Sequence, residues 1–210
     1  MEIKNVQIFG LKESLIAAGL PKAANYEEYM AKQIKAVNVA PLQNLGVKLG
    51  NAPIGSGHDC FLKGIRVQAD VKYTQYWSMQ FQRYHFADII SSQSKMHRII
   101  EMGLNEDNTN ELVDPVIRIK INEKILTYRA LKAEGKDKAA AEMFLSIMAN
   151  IPMGFMLWMR IDLNYLQLKT IYAQRKNGDA KRLPDDWGVF CNWCETLPLF
   201  KELCINKLTH

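Results

Sequence analysis

The segment MQFQRYHFADIISSQSKMH, residues 79–97, brings histidine, arginine, glutamine and serine side chains together within an otherwise apolar stretch. These groups can bind phosphate, transfer protons or form hydrogen bonds to a polar ligand. His85 and Asp88 are three residues apart, so they would pair on a helix, although such a histidine is more often a hydrogen-bonded core group than a base. The pattern indicates either the floor of a site or a polar helix face.

A second interpretation of this segment is a basic helix that contacts nucleic-acid phosphates through Arg83, Lys95, His97 and Arg98. A groove-reading helix should be polar on its exposed face, whereas apolar residues surround this one almost completely. Those residues are Phe81, Tyr84, Phe86, Ile89 and Ile90. The formal charge of +5 is only mildly basic and suits small phosphate-bearing ligands equally well, so nucleic acid is not expected as a partner.

Cys191 and Cys194 have the C-x-x-C spacing of a zinc knuckle or a redox pair. Zinc takes four ligands and the sequence contains no second pair; Cys204 and His210 would complete a set only through the folding of the tail. Free cysteine otherwise packs as a small hydrophobe. We therefore expect free thiols, helix packing and no metal.

Other catalytic signatures are absent. No Gly-rich phosphate loop, G-x-S-x-G turn, H-E-x-x-H motif or paired-carboxylate motif occurs, which argues against hydrolases. The 48% hydrophobic and 23% charged fractions are typical of globular proteins, and no segment resembles a membrane span or a secretory signal. We expect a cytoplasmic protein with no membrane partner, and 210 residues suit a single domain over residues 1–210.

Hydrophobic periodicity predicts the elements that position these side chains. A short strand is expected near residues 3–8, a helix over 26–38, and a loop over 38–59, where prolines and glycines gather. Residues 65–71 alternate apolar and polar side chains, which predicts a half-buried strand. Residues 77–97 show loose helical spacing with a break at IISSQS, so the polar cluster would straddle a helix and the bend after it.

The second half of the chain is predicted to be helical. Residues 126–150 indicate two helices separated near Gly135, and residues 153–176 indicate one long apolar helix that begins at Pro152. On that helix one sector would carry polar residues, namely Arg160, Asn164, Gln167, Gln174 and Arg175. A buried polar group costs on the order of 1 to 3 kcal/mol without a hydrogen bond, so this stripe needs protein or ligand partners. The basic cluster at residues 174–182 is predicted as a solvated helix end with its exit loop.

The order of three features resembles the flavin-dependent thymidylate synthases. That family has Gly-His-Glu, then a strand, then Gln-x-x-Arg-His-Arg. Here Gly57-His58-Asp59, a strand through Val71 and Gln80-x-x-Arg83 follow in the same order with similar spacing.

The family signature continues with several polar positions. In this sequence Ser91, Ser92 and Ser94 resemble them. Residues Arg160, Asn164 and Lys169 fall where the family has an arginine, an asparagine and a nucleotide-binding arginine. His85 replaces the second arginine of Arg-His-Arg, which removes a bidentate donor and makes the charge at that point depend on pH.

The resemblance implies an α+β fold, with a small antiparallel sheet packed with long helices, assembled as a homotetramer. It implies FAD at subunit interfaces, dUMP stacked on the flavin ring, methylenetetrahydrofolate as the one-carbon donor to C5 of uracil, and NADPH as the reductant. In that chemistry the flavin delivers a hydride and no enzyme nucleophile attacks the base, which agrees with the absence of a nucleophile motif.

The resemblance also implies roles for individual residues. Cofactor binding is assigned to His58, Arg83, His85, Arg160 and Asn164. Substrate binding is assigned to Gln80, Ser91, Ser92, Ser94 and Lys169. The catalytic cation is Lys169, with Arg175 as the alternative if the register is off by a turn. Arginine forks and clustered hydroxyls suit phosphates and carbonyls, which supports these assignments.

Two further interpretations stay open. One is a divergent homologue that binds a pyrimidine nucleotide and performs altered one-carbon chemistry. The other is a non-catalytic helical module with a basic surface that binds nucleic acid or protein. In a purely structural interpretation, Arg83, Arg160 and Asn164 form a buried network that pins two helices together.

Overall fold

The computed structural model describes residues 1–35, 40–53, 56–177 and 183–205. Its strands are β1 (Glu2–Phe9), β2 (Arg66–Thr74), β3 (Asp88–Ser92) and β4 (Met156–Asn164). Its α-helices are α1 (Leu11–Ala17), α2 (Tyr26–Lys35), α3 (Ala40–Gly50), α4 (Gln75–Phe81), α5 (Lys95–Met102), α6 (Pro115–Ala133), α7 (Asp137–Asn150), α8 (Tyr165–Arg175) and α9 (Pro184–Thr196). Two 3-10 segments, Leu20–Lys22 and His58–Gly64, and a π-helical turn, Lys201–Ile205, complete the described elements.

The four strands form one sheet in the order β1-β2-β4-β3. Strands β2 and β4 run antiparallel, since the Tyr165 N–H donates to the Ile65 carbonyl (3.0 Å) and the Gln75 N–H donates to the Phe155 carbonyl (3.3 Å). Helices account for most of the remaining chain. The architecture confirms the predicted α+β fold with a small antiparallel sheet.

Strands β2 and β4 have the same burial pattern, in which alternate residues are buried and the last two are both buried. Each strand passes directly into a helix through a capping residue. Thr74 Oγ1 accepts from the Trp77 N–H (3.4 Å) at α4. Asn164 and Gln167 form a reciprocal capping box at α8, with hydrogen bonds of 2.9 and 2.7 Å.

The long helix expected over residues 153–176 is wrong, because its first half is strand β4 and only the second half is helix α8. The inward residues of β4 alternate along the chain and are Leu157, Met159, Ile161 and Leu163. Apolar Met156 and Trp158 at outward positions obscure that alternation in the sequence. The polar sector therefore does not exist as one helix face, since Arg160 lies on the strand.

The region around the polar segment also differs from expectation. Helix α4 ends at Phe81, and the first four residues of IISSQS belong to the edge strand β3, which begins at Asp88, so His85 and Asp88 do not share a helix. The expected loop at 38–59 contains helix α3. This helix approaches the C-terminal segment closely at Gly50, where a Cβ would lie 2.3 Å from the Leu203 carbonyl oxygen.

Several predicted elements are confirmed. Strands β1 and β2 lie where periodicity placed them, and Ile65, Val67, Ala69 and Val71 are all buried. Helices α6 and α7 are separated at Gly135, which adopts the left-handed conformation with φ of 71°.

Internal contacts group the chain into two compact units. The first unit contains Met1–Glu2, Val71–His85 and Ile89–Arg160; the second contains Ile3–Asp70, Phe86–Asp88 and Ile161–His210. The single-domain prediction stays a prediction. In the part of the chain that the structure describes, no helix combines the length and apolar character needed to cross a bilayer.

Candidate functional site

In the first unit, helix α4 ends at the Gln80-x-x-Arg83 motif. Trp77 and Phe81 are fully buried and stack with ring centroids 4.8 Å apart, which fixes the helix on the core. Gln80 is half-buried, while Arg83 and His85 are exposed in the turn that follows. The core packing of α4 thus presents a guanidinium and an imidazole to solvent at its C-terminal end.

Strand β3 carries Ser91 and Ser92 at an edge of the sheet, and all five of its residues are exposed. Gln93 pairs with β4 through both its main chain and its side chain. Its N–H donates to the Trp158 carbonyl (2.9 Å), and its Oε1 accepts from the Trp158 N–H (3.0 Å). Burial raises the pKa of Tyr73, and a hydrogen bond with Ser92 opposes that rise.

Ser94 begins helix α5 as its N-cap, with Oγ accepting from the His97 N–H (3.4 Å). The adjacent Lys95 Nζ donates to Gln75 Oε1 (2.8 Å), so the starts of α4 and α5 are tied together. The first backbone N–H groups of a helix attract anions, and the exposed Ser94 hydroxyl lies at this end. We call residues 91–94 the serine segment.

Arg160 lies half-buried on β4 in the first unit. Of the residues in the purely structural interpretation, Arg83 is exposed and not buried, and the Asn164 side chain caps α8. Asn164 itself is 8% exposed.

In the second unit, His58 is exposed at the start of a 3-10 segment, directly after Gly57, whose φ is 73°. The next residue, Asp59, accepts from Lys169 Nζ at 2.8 Å. The same ammonium donates to the Gly50 carbonyl at 2.8 Å. Lys169 is only 8% exposed, so its charge is held inside the unit.

Arg175 is the last residue of α8 and is half-buried. Its guanidinium carbon lies 4.6 Å from the ring centroid of Trp187, and that ring is fully buried. A cation–π contact of this kind holds the guanidinium in a fixed orientation.

The candidate residues therefore divide between the two units. The first unit contains Gln80, Arg83, His85, Ser91, Ser92, Ser94 and Arg160. The second unit contains His58, Asn164, Lys169 and Arg175. Exposed donors predominate in the first set, and side chains with partners inside the protein predominate in the second.

A network around Glu195 was missed in the sequence. The Glu195 carboxylate accepts from Lys176, from the Tyr172 hydroxyl (2.7 Å) and from Lys201 (3.4 Å). The hydrogen bonds from Lys176 and Tyr172 lower the pKa of Glu195 to about 2. Tyr172 lies on α8 and Lys176 is the C-cap of that helix, four residues later, but nothing local in the sequence indicates a carboxylate on α9 as their partner.

The basic cluster at residues 174–182 is partly described. Its described cations, Arg175 and Lys176, contact Trp187 and Glu195, so this helix end is not merely solvated. Residues 178–182 lie outside the described part of the chain.

Cys191 and Cys194 pack in the interior, as predicted from their apolar surroundings. Cys191, Cys194 and Cys204 are buried free thiols, and Cys60 is exposed and free. Burial raises the pKa of Cys191 to about 11 and that of Cys204 to about 12. Among the described residues, no three histidine, cysteine or acidic side chains form a metal-binding group; His210 lies outside that range.

No protein-family model and no curated protein matches the sequence. Solved structures do match. Flavin-dependent thymidylate synthase ThyX from Helicobacter pylori, complexed with FAD and dUMP, aligns with a TM-score of 0.67 and 13% identity over 98% of both chains. A second structure of that enzyme with FAD and dUMP aligns with a TM-score of 0.64 and 15% identity over 100% of both chains.

A third neighbour is the UMP/dUMP methylase PolB from Streptomyces cacaoi, bound with 5-Br dUMP. It aligns with a TM-score of 0.56 and 9% identity, over 96% of this chain and 94% of the other. Identities this low establish similarity of fold and not of reaction. The chain is thus similar in fold, over nearly its whole length, to flavin-dependent thymidylate synthases.

Proposed function

We propose that the protein is a flavin-dependent methyltransferase of the thymidylate synthase type. It methylates dUMP at C5 of uracil, with FAD as cofactor and methylenetetrahydrofolate and NADPH as co-substrates. The observation that carries this proposal is the exposed serine segment at the start of α5, on a chain whose fold matches enzymes solved with FAD and dUMP.

The serine segment supplies donors for the nucleotide phosphate. Ser91, Ser92 and Ser94 are exposed within four consecutive residues, and the α5 N-terminus adds backbone N–H groups and a favourable dipole. Gln80, half-buried at the end of α4, offers an amide that can pair with a base edge.

The cofactor residues have the chemistry that a flavin nucleotide requires. The Arg83 guanidinium is an exposed, always-charged donor for a pyrophosphate or a flavin carbonyl, and His85 beside it adds an imidazole. His58, Arg160 and Asn164 complete the proposed set. When bound, the flavin would supply the hydride chemistry; the protein residues bind and orient it.

Lys169 and Arg175 are the proposed catalytic cations. A fixed positive charge stabilises negative charge that develops on the base, because the protein need not reorganise as the reaction proceeds. The stacking of Arg175 on Trp187 provides such fixation. Lys169 is fixed by its ion pair with Asp59.

We also propose that the protein assembles as a homotetramer. Helices α6 and α7 of the first unit present large apolar side chains to solvent, among them Val116 (52% exposed), Ile119 (57%), Leu126 (63%) and Leu145 (65%). Side chains of this size at neighbouring positions favour contact with a further protein surface. Light scattering coupled to size exclusion measures the mass directly; a monomer at micromolar concentration would contradict the tetramer.

A second candidate function is the methylation of another pyrimidine nucleotide. It is favoured by the fold likeness to a methylase that acts on both UMP and dUMP. Calorimetric titration with UMP and with dUMP separates the two candidates, because a site specific for the deoxyribose should reject the 2′-hydroxyl.

The proposal is tested by the absorbance spectrum of purified protein, followed by titration with FAD and then dUMP. Flavin bands that shift when dUMP is added would support a shared site and justify an assay for C5 methylation. Binding of dUMP without FAD would favour altered one-carbon chemistry. Failure to bind either ligand would overturn the proposal in favour of an interaction module, for which salt-sensitive DNA binding is the next measurement.

A further inference from the structure

The ammonium of Lys169 joins three segments of the second unit. It donates to Asp59 Oδ2 in the 3-10 segment His58–Gly64 and to the carbonyl of Gly50, the last residue of α3, both at 2.8 Å. A lysine at a helix C-terminus satisfies a carbonyl that has no partner within the helix and also complements the helix dipole. Lys169 therefore closes α3 and holds Asp59 from its own position on α8.

Lys169 is buried and Asp59 is half-buried, with side-chain exposures of 9% and 19%. Removal of one member leaves the other charge in a poorly solvated place, so the surrounding backbone must move to hydrate it. The α3 side of the site has little freedom to move. Gly50 packs against the Leu203 carbonyl, and the Asn51 side chain donates to the Val47 and Glu202 carbonyls (2.9 and 2.8 Å).

The first residues of the 3-10 segment are the side that can respond, because Leu62 further along the segment is fully buried. The segment begins directly after Gly57, which has a φ of 73° and nothing within 4 Å of where a Cβ would be. His58 is exposed between this glycine and the anchored Asp59. The anchor on Asp59 is thus the nearest tertiary constraint on the imidazole of His58.

We propose that Lys169 is a positioning residue for His58: its part-buried ion pair with Asp59 fixes the backbone from which the imidazole projects. This role is additional to the contact with the nucleotide that the proposed function assigns to Lys169, since the ammonium has three donors and two of them reach Asp59 and the Gly50 carbonyl. Its consequence for FAD rests on the proposed function, in which His58 contacts the cofactor. Its consequence for the conformation of His58 does not depend on any ligand.

The test follows His58 in the protein without added ligand. In protein labelled with ¹³C-histidine, the ring signals of His58 are assigned by their loss in His58→Gln. We expect Lys169→Met to shift and broaden these signals and to weaken FAD binding at least about tenfold. Lys169→Arg should restore much of both, because it keeps a cationic donor at the position.

Lys176→Met is the matched control. It makes the same substitution at the C-cap of the same helix and breaks another ion pair, that with Glu195, which does not involve the 3-10 segment. It should lower stability while leaving the His58 signals in place and FAD affinity within about twofold. An equal shift of the His58 signals in Lys176→Met would mean general destabilisation and would overturn the positioning role.

The outcomes separate the two proposals. Unchanged His58 signals in Lys169→Met overturn the positioning role, whether or not FAD binds. A wild-type protein that ignores FAD, together with shifted His58 signals in the variant, would contradict the proposed function and support the positioning role. If Lys169→Met does not fold, Asp59→Asn decides by the same readout, since it keeps the side-chain shape and an acceptor while it removes the charge.

Discussion

The serine segment of the first unit and the Lys169 site of the second unit use polar residues in opposite ways. Ser91, Ser92 and Ser94 are exposed on an edge strand and at a helix start. Lys169 is buried and has both a carboxylate and a carbonyl as partners. The resemblance assigned both groups to one nucleotide, yet only the first presents its donors to solvent.

This contrast teaches that residue type and motif position do not show which polar groups are available to a ligand. A buried charge that already has partners contributes mainly to the arrangement of the backbone. An exposed hydrogen-bond donor is solvated by water, so it carries little free-energy cost in the absence of a ligand. It can exchange water for a ligand acceptor when a ligand binds. Substitutions at the two places should therefore affect different measurements.

The largest expected difference is in stability. Lys169→Ala should lower the free energy of unfolding by about 1 to 3 kcal/mol, because Asp59 would keep a half-buried charge without its partner. Arg83→Ala should change it by less than about 0.5 kcal/mol, since the side chain is exposed. Urea unfolding followed by circular dichroism measures both; equal losses would remove the contrast between the two regions.

Flavin retention should be affected more by substitution of Arg83 than by substitution of Lys169, which is the reverse of their order in stability. Arg83→Ala is expected to abolish FAD retention with the fold intact, because it removes the guanidinium fork of the Gln80-x-x-Arg83 motif. Lys138→Ala, which removes an exposed cation on α7, is the control and should retain flavin. Stoichiometric flavin in purified Arg83→Ala, measured by absorbance, would contradict the assignment.

The serine segment allows a finer separation of capping from binding. Ser94→Ala should cost about 1 kcal/mol of stability through loss of the α5 cap and should weaken dUMP binding more than FAD binding. Ser94→Asp keeps a capping oxygen but places a negative charge where the phosphate is proposed to lie. Calorimetry should therefore find Ser94→Asp more stable than Ser94→Ala and weaker for dUMP; tighter dUMP binding would place the phosphate elsewhere.

The smallest expected effect concerns the Glu195 network, a second internal polar group of the second unit. In the folded protein the pKa of Glu195 is about 2, below its ordinary value of 4.5. The contribution of Glu195 to stability is therefore present above pH 4.5 and is lost as the pH falls towards 2. Glu195→Gln should flatten the decline in unfolding free energy across that window. Identical pH profiles for the two proteins would show that the network contributes nothing measurable.

Much of the fold could be predicted because strand β2 alternates cleanly, and Gly135 marks the boundary between α6 and α7. Strand β4 has the same burial pattern but was missed, since Met156 and Trp158 point outward as apolar residues. A local signal was available: Asn164 followed three residues later by Gln167 is the signature of a helix start, which contradicts a helix running through this point.

The candidate site could be predicted only in part. The order of the motifs was enough to predict the candidate residues near β3 and α5. It did not indicate that the Gln93 side chain accepts a hydrogen bond from strand β4 or that Lys95 donates to Gln75. The Lys169 contacts join residues 119 and 110 positions apart in the sequence, so no local pattern could reveal them. Partners of this kind depend on the packing of distant segments.

Strands β2 and β4 pass directly into helices at Thr74 and Asn164. These junctions limit where the chain can tolerate inserted or deleted residues. A residue inserted within β2 or β4 would turn the following strand positions to the opposite face of the sheet, since side chains alternate with a period of two. With no connecting loop to absorb the insertion, the start of the helix would also be displaced along the strand direction by about 3.3 Å. We expect surviving insertions and deletions to fall outside these two junctions, for example in the turn around Gly135.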